Sequence, residues 1–240
     1  MKADLPAVLK AYATERGHVV AVESGGVALD YASLDRCVER FATALRSTGI
    51  ASGDRVAFLA NTCVEYFVFL IGSMRVGAVA VPVNWRLASP EIASVLNDAE
   101  AVLLVVGETF LAQIEELLER LEHVRHIVSL GRHQRLPGWE EWLNDHANDS
   151  HAPVESNDES IVFQMYTSGT TGMPKGVMTS NAGLLSYLER LSSTARITPR
   201  SVTLSTLPLF HIGGTGWALA GLYRGGTVHL LRDVNADRII

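Results

Sequence analysis

Residues 161–178 read IVFQMYTSGTTGMPKGVM, and this stretch decides how the middle of the chain folds. An apolar run at 161–166 and a shorter one at 177–178 flank a segment rich in glycine, serine and threonine. Apolar runs bounded by turn residues of this kind predict two strands joined by a loop. The loop, 166–176, has almost no apolar mass to bury, so we expect it to present hydroxyl and backbone N–H groups to a ligand.

The composition of this loop favours a polyphosphate ligand. Glycines let the backbone approach closely, hydroxyl and N–H groups donate to phosphate oxygens, and Lys175 adds a positive charge. The chain has three lysines and seventeen arginines, so arginine is its usual basic residue and a lysine in this loop is an exception. The segment is not the common phosphate loop, GxxxxGK[ST], because Pro174 precedes Lys175 and Gly176 follows it. A plain surface turn of the same composition is the alternative.

Length and composition favour a globular α/β protein with a small-molecule ligand. With 240 residues, of which 48% are hydrophobic and 19% charged, the chain can bury a large core. The net charge is −6, and lysine and arginine form no basic stripe, which argues against a nucleic-acid partner. Cys37 and Cys63 fall in apolar helical patterns, which predicts reduced thiols in a cytoplasmic protein. No apolar run reaches the roughly eighteen residues of a transmembrane segment, which leaves peripheral membrane contact open.

Strand and helix patterns alternate along the first half of the chain. The pattern predicts a hairpin turning at Gly25 and Gly26, a helix capped by Asp30, and a helix capped by Asn61 that ends near Arg75. Further strands are predicted at 55–59, 78–81, 101–106 and 127–130, with helices at 91–98 and 109–121. Such alternation is typical of βαβ winding and mostly parallel sheets.

The second half repeats the alternation after a polar segment. We interpret 144–160 as a linker between a first α/β lobe, 1–143, and the start of a second lobe, 161–240. Beyond the loop, helices are predicted at 182–194 and 214–223, with strands at 202–206 and 227–231. A last element at 236–240, capped by Asn235, stops after one turn, so the chain is expected to be cut inside a helix.

Four stretches carry a resemblance to a known family. The run 166–176 resembles the phosphate-loop signature of the adenylate-forming superfamily, which includes acyl-CoA synthetases, peptide-synthetase adenylation domains and luciferases. The stretches 29–36 (LDYASLDR), 74–87 (MRVGAVAVPVNWRL) and 207–214 (LPLFHIGG) resemble its other N-terminal motifs in the right order. The resemblance implies the large N-terminal domain of such an enzyme, without its C-terminal lid. The family's metal-binding glutamate, ribose-binding aspartate and lid lysine would follow residue 240, so this fragment alone is expected to be inactive.

The resemblance also implies a function and a set of site residues. The whole protein would use ATP and Mg²⁺ to convert a carboxylic acid to an acyl-adenylate, and would then join the acyl group to coenzyme A. Lys175 and His211 would be the catalytic residues, and Thr167 would contact both phosphate and Mg²⁺. His211 would mark the acid site, where Gly213 and Gly214 leave room for an acyl or aryl chain. The other phosphate-binding residues would be Ser168, Gly169, Thr170, Thr171 and Gly172, together with Lys175.

Several alternatives stay open at this point. The stretches 82–87 and 208–214 look more like fatty-acyl or aryl-CoA ligases than like amino-acid adenylation domains, but the latter are an alternative. A nucleotide-binding module without catalysis and a structural α/β domain are the alternatives from other classes. We interpret Trp85 and Arg86 as structural, with Arg86 also a candidate for shaping the nucleotide lobe. Trp217 belongs either to the helix core or to the acid pocket.

Overall fold

The structure is a computed structural model, and it describes residues 4–147, 157–167 and 174–232. Within these ranges, strands and helices alternate as the sequence predicts. The strands are β1 (Val20–Ser24), β2 (Val27–Asp30), β3 (Arg55–Leu59), β4 (Val79–Pro82), β5 (Ala101–Val106), β6 (His126–Ser129), β7 (Ile161–Thr167), β8 (Lys175–Ser180), β9 (Val202–Ser205) and β10 (Thr227–Leu230). The helices are α1 (Leu5–Glu15), α2 (Tyr31–Ser47), α3 (Glu65–Arg75), α4 (Ser89–Asp98), α5 (Leu111–Glu115), α6 (Trp139–Asp145), α7 (Asn181–Thr194) and α8 (Ile212–Tyr223).

Six strands form the larger sheet, in the order β6-β5-β3-β4-β7-β8. All neighbours pair in parallel except β7 and β8, which form an antiparallel hairpin. Strand β5 is apolar throughout because both of its faces are covered: Leu103 and Val105 pack into one core cluster, and Leu104 and Val106 into another. The continuous apolar run therefore predicted a buried central strand correctly, with the observed bounds.

Four strands form the second sheet, in the order β2-β1-β10-β9. Strands β1, β10 and β9 are parallel, and β2 joins β1 as an antiparallel hairpin. The hairpin turns at Gly25 and Gly26, whose φ angles are +58° and +84°. Positive φ at both central residues is the requirement of a tight two-residue hairpin turn, and glycine meets it without steric strain.

The strand pairing crosses the predicted division of the chain at 144–160. Strands β7 and β8, assigned to the second lobe at 161–240, complete the larger sheet with β3, β4, β5 and β6 of the first lobe, 1–143. Strands β1 and β2 of the first lobe instead pair beside β10 of the second. Each sheet therefore contains strands from both sides of the predicted division, because parallel neighbours are chosen by tertiary packing rather than by order in the sequence.

Two clusters of buried side chains hold the layers together. The larger contains residues of both sheets and of the helices between them, including Phe69 of α3, Leu219 of α8 and Val228 of β10. The smaller fills the opposite face of the six-stranded sheet, where Ile92 of α4 covers residues such as Leu104. Helices α3 and α4 therefore pack on opposite faces of the same sheet.

Helix starts were predicted with mixed success. The Asp30 carboxylate accepts a hydrogen bond from the Ser33 amide at 2.7 Å and caps α2, as predicted. The hydrogen bonds from Ser33 hold the pKa of Asp30 below its ordinary value. The Asn61 cap was wrong, because α3 begins at Glu65. The single helix at 109–121 was also wrong, since α5 is short and lies between two 3₁₀ turns, Glu108–Phe110 and Leu118–Arg120. The predicted last element at 236–240 lies outside the described residues.

Candidate functional site

The carboxyl ends of the parallel strands meet at one edge of the six-stranded sheet. Strands β3 and β4 are neighbours there, and the helices that follow them leave toward opposite faces. Such a divergence opens a crevice at the carboxyl edge, which is where open α/β sheets bind ligands. A cavity of about 580 Å³ occupies this edge, with Asn61 after β3, Trp85 after β4, Glu108 after β5 and Arg232 among its lining residues.

The predicted phosphate-binding hairpin ends at the same edge. Thr167 is the last residue of β7 and Lys175 is the first of β8, and the antiparallel register pairs them directly. Both residues are exposed, and no ion pair or hydrogen bond joins the Lys175 side chain to the part of the chain that the structure describes. The structure thus brings Thr167 and Lys175 together at the mouth of the loop. The five remaining predicted phosphate-binding residues lie outside the described ranges: Ser168, Gly169, Thr170, Thr171 and Gly172.

Tyr166 ties this hairpin to the neighbouring helix. Its hydroxyl donates to Asp98 at the end of α4 at 2.6 Å and accepts from the Gln164 amide at 2.8 Å. Burial, together with the hydrogen bond to Asp98, raises the pKa of Tyr166, so the phenol stays protonated and remains a donor. Gly176 faces this group, because a Cβ there would lie 2.3 Å from Gln164 Nε2. Tyr166 therefore joins the hairpin to α4, and Gly176 leaves space for the Gln164 side chain, which are roles that sequence reasoning missed.

His211 caps the first turn of α8. Its Nδ1 accepts a hydrogen bond from the Gly213 amide at 3.1 Å, and its carbonyl accepts from the amides of Gly214 and Thr215 at 3.0 Å. Because Nδ1 accepts, the neutral ring carries its proton on Nε2. The residue lies after β9, at the carboxyl edge of the four-stranded sheet, and it is exposed. This agrees with its predicted place on a strand-to-helix loop.

The two glycines that follow His211 differ in how closely they are packed. A Cβ on Gly214 would lie 2.3 Å from the Pro208 carbonyl oxygen and 2.6 Å from that of Leu207. Gly214 therefore permits a close approach of α8 to its own preceding loop. A Cβ on Gly213 would contact only side chains, Leu207 at 3.1 Å and His211 at 3.3 Å. The Trp217 indole donates to the Leu204 carbonyl at 3.0 Å and packs against the larger core.

Tyr66 of α3 and Trp85 in the loop after β4 contact the His211 turn and the start of α8. The buried Tyr66 hydroxyl of α3 lies 2.7 Å from Thr215 Oγ1, and the Thr215 hydroxyl donates to the Leu209 carbonyl. Phe210 meets the Trp85 ring edge to face, with 6.1 Å between the ring centres. Because Trp85 follows β4, these contacts place the His211 turn against the carboxyl edge that also carries Thr167. Neither His211 nor Lys175 lines the 580 Å³ cavity itself.

Other features of the described chain bear on the remaining expectations. None of the helices in the described ranges combines the length and the hydropathy that a membrane span requires. Cys37 and Cys63 are free thiols, the first half-buried in α2 and the second buried just before α3. Burial raises the pKa of both thiols, which keeps them protonated and weakly nucleophilic.

Comparisons with known proteins agree with these features. The model of the AMP-binding enzyme family matches residues 9–239. A fatty acid–[acyl-carrier-protein] ligase, ScoC of Streptomyces coeruleorubidus, is 34% identical over 92% of the chain and 42% of its own length. A feruloyl-CoA synthase of Amycolatopsis is 35% identical over 89% of the chain and 41% of its own length. The chain thus spans less than half the length of these relatives.

Solved structures confirm the predicted fold class. The inhibitor-bound N-terminal domain of FACL13 from Mycobacterium tuberculosis superimposes with a TM-score of 0.87 at 30% identity, over 98% of this chain and 59% of that one. The mixed α/β architecture with largely parallel sheets is therefore that of the N-terminal domain of adenylate-forming enzymes. From the family match over almost its whole length, the chain belongs to the AMP-binding enzyme family.

Proposed function

We propose that the whole protein activates a carboxylic acid with ATP, forming an acyl-adenylate and pyrophosphate, and then transfers the acyl group to coenzyme A. The observation that carries this proposal is the hairpin mouth, where Thr167 and Lys175 are paired in the antiparallel register at the carboxyl edge of a mostly parallel sheet. A cation and a hydroxyl at the mouth of a glycine-rich loop match the chemistry of a triphosphate.

Lys175 would contribute the charge that the reaction needs. A carboxylate that attacks the α-phosphorus approaches a polyanion, so a fixed cation near the outer phosphates lowers the repulsion and stabilises the departing pyrophosphate. An ammonium suits this task because it is compact and donates in three directions. The other members of the loop would add hydroxyl and backbone donors around the same phosphates: Ser168, Gly169, Thr170, Thr171 and Gly172.

The Thr167 hydroxyl fits a magnesium site of the kind that triphosphates share with proteins. Mg²⁺ prefers oxygen ligands and usually keeps several waters, so one neutral protein oxygen beside phosphate oxygens is an adequate donor set. Thr167 is exposed at the end of β7, which leaves its hydroxyl accessible for this contact. When bound, the ion would neutralise part of the phosphate charge.

His211 would mark the position of the carboxylic acid. The Gly213 amide fixes the ring through Nδ1, which leaves Nε2–H as the hydrogen-bond donor of the neutral imidazole. A donor on the exposed side of this turn suits an acid or adenylate oxygen. The activities of the two relatives, a fatty-acid ligase and a feruloyl-CoA synthase, favour a fatty or aromatic acid. The first of these relatives acts with an acyl-carrier protein, so that acceptor is the second candidate beside coenzyme A.

Acid-dependent exchange of labelled pyrophosphate into ATP tests the first step in the whole protein. We expect Lys175→Ala to slow the exchange by about 3 kcal/mol in activation free energy, the typical cost of losing one preorganised donor. Lys10→Ala is the matched control, because Lys10 is an exposed lysine on α1. Exchange at the wild-type rate in Lys175→Ala would contradict the proposed role. ATP binding without exchange in the wild type would favour the nucleotide-binding module instead.

A further inference from the structure

Arg86 is held in an unusual position at the carboxyl edge of the larger sheet. Its guanidinium carbon lies 4.4 Å from the centre of the Trp85 ring and 5.7 Å from the centre of the Phe210 ring. Trp85 in turn packs against Phe110, with 6.5 Å between ring centres. The cation is thus stacked between two loops, one from each sheet, although the residue as a whole is exposed. Stacking of this kind restricts the side chain before any ligand arrives.

The stack lies next to the turn that carries His211. Arg86 belongs to the loop after β4, and β4 pairs in parallel with β7, which ends at Thr167. On its other side the stack includes Phe210, the residue that directly precedes His211. Arg86 therefore adjoins the turn that carries the predicted acid site, at the same edge of the larger sheet at which β7 ends.

The charge of Arg86 has no partner in the described part of the chain. Several other arginines bind carboxylates there: Arg40 pairs with Glu140, Arg55 with Glu100, Arg75 with Asp35 and Glu39, and Arg224 with Glu189. The side chain of Arg86 makes neither an ion pair nor a hydrogen bond with the described residues. The carboxylate of Glu91, in the first turn of α4, accepts a hydrogen bond from the Ala88 amide at 2.8 Å. A guanidinium stacked on a ring keeps its in-plane N–H groups free for an oxyanion.

We propose that Arg86 is an additional substrate-binding residue, whose guanidinium binds an oxyanion beside the His211 turn. This inference rests on the proposed function, because the oxyanion is either the carboxylate of the acid or a phosphate of ATP. Both present oxygen pairs that an arginine can bind with two parallel hydrogen bonds. Trp85 supports the interaction by positioning the guanidinium.

Steady-state exchange kinetics of Arg86→Gln in the whole protein test this proposal. We expect the KM of one substrate to rise about tenfold, since a hydrogen bond to a charged group is lost. A rise in the KM of the acid identifies the carboxylate, and a rise in that of ATP identifies a phosphate. Arg86→Lys should recover part of the loss because it keeps the charge. Arg200→Gln is the matched control, an exposed arginine before β9. Tm should be unchanged in all three variants.

Two results would overturn the inference. One is that both KM values of Arg86→Gln stay within about twofold of the wild type, and the other is a fall in kcat alone together with a lower Tm. Calorimetry with pyrophosphate and with octanoate separates this inference from the proposed function, because it needs no turnover. Weaker binding of either probe to Arg86→Gln supports the role of Arg86 even if exchange is absent. Equal binding to both proteins, or binding to neither, contradicts it.

Discussion

The hairpin that carries Lys175 and the turn that carries His211 are built in opposite ways. Strand β8 is an edge strand with exposed apolar side chains, Val177 at 50% and Met178 at 63% exposure. The turn is anchored in the core, where Thr215 is fully buried. The hairpin is held by main-chain register and by the Tyr166–Asp98 hydrogen bond, and the turn by close packing and buried hydrogen bonds. Substitutions in the turn should therefore cost stability, whereas those at the hairpin mouth should mainly cost function.

The largest loss of stability should come from adding a side chain at Gly214, where α8 packs closely against the loop before it. Gly214→Ala places a Cβ 2.3 Å from the Pro208 carbonyl oxygen, and the backbone cannot move away as a side chain could. We expect a loss of about 3 kcal/mol in the free energy of unfolding, measured by urea denaturation. Gly213→Ala is the adjacent control and should be nearly neutral, because its closest neighbour is the flexible Leu207 side chain. Equal stability of the two variants would show that the turn is not closely packed.

A smaller effect should follow from removing the hydroxyl that links α3, α8 and the turn. In Thr215→Val the Tyr66 hydroxyl and the Leu209 carbonyl lose their shared partner inside the core. We expect a loss of about 2 kcal/mol in unfolding free energy, the cost of leaving buried polar groups unsatisfied. Thr194→Val, at the exposed end of α7, controls for the change in side-chain chemistry. A Thr215→Val protein as stable as the Thr194→Val control would contradict this view of the turn.

The smallest effect on stability should come from the tether of the hairpin. Tyr166→Phe removes the hydrogen bond to Asp98 at a half-buried site, and we expect a loss of about 1 kcal/mol. Tyr187→Phe is the matched control, since that tyrosine is exposed at 37% on α7. If Tyr166→Phe also raises the KM for ATP while Tyr187→Phe does not, the hairpin differs from the turn in function as well as in stability. A stability loss as large as that of Gly214→Ala would mean that the hairpin is built like the turn.

The sequence predicted local structure better than it predicted contacts. Strand β5, the Gly25–Gly26 turn and the Asp30 cap were confirmed, because each depends on neighbouring residues. The strand order was missed, since parallel pairing joins segments that are distant in the sequence, such as β1 and β10. The predicted division of the chain into lobes did not match the pairing for the same reason.

In the candidate site, too, local features could be predicted from the sequence and contacts between distant residues could not. The Thr167–Lys175 hairpin and the placement of His211 on a strand-to-helix loop could be predicted, because apolar runs and glycines signal them along the chain. The contacts that hold the turn could not. Tyr66 and Thr215 are 149 positions apart, and the close approach at Gly214 depends on how α8 folds back on its own loop. The stacking of Arg86 between Trp85 and Phe210 likewise joins two sheets.

The central claim is that the mouth of the hairpin holds the phosphates of ATP, and the accessibility of Lys175 tests it most directly. The rate at which an amine-acylating reagent modifies Lys175 and Lys10 can be followed by mass spectrometry in the whole protein. We predict that MgATP slows the modification of Lys175 about tenfold or more and leaves that of Lys10 unchanged. Modification of Lys175 at the same rate with and without saturating MgATP would contradict the account.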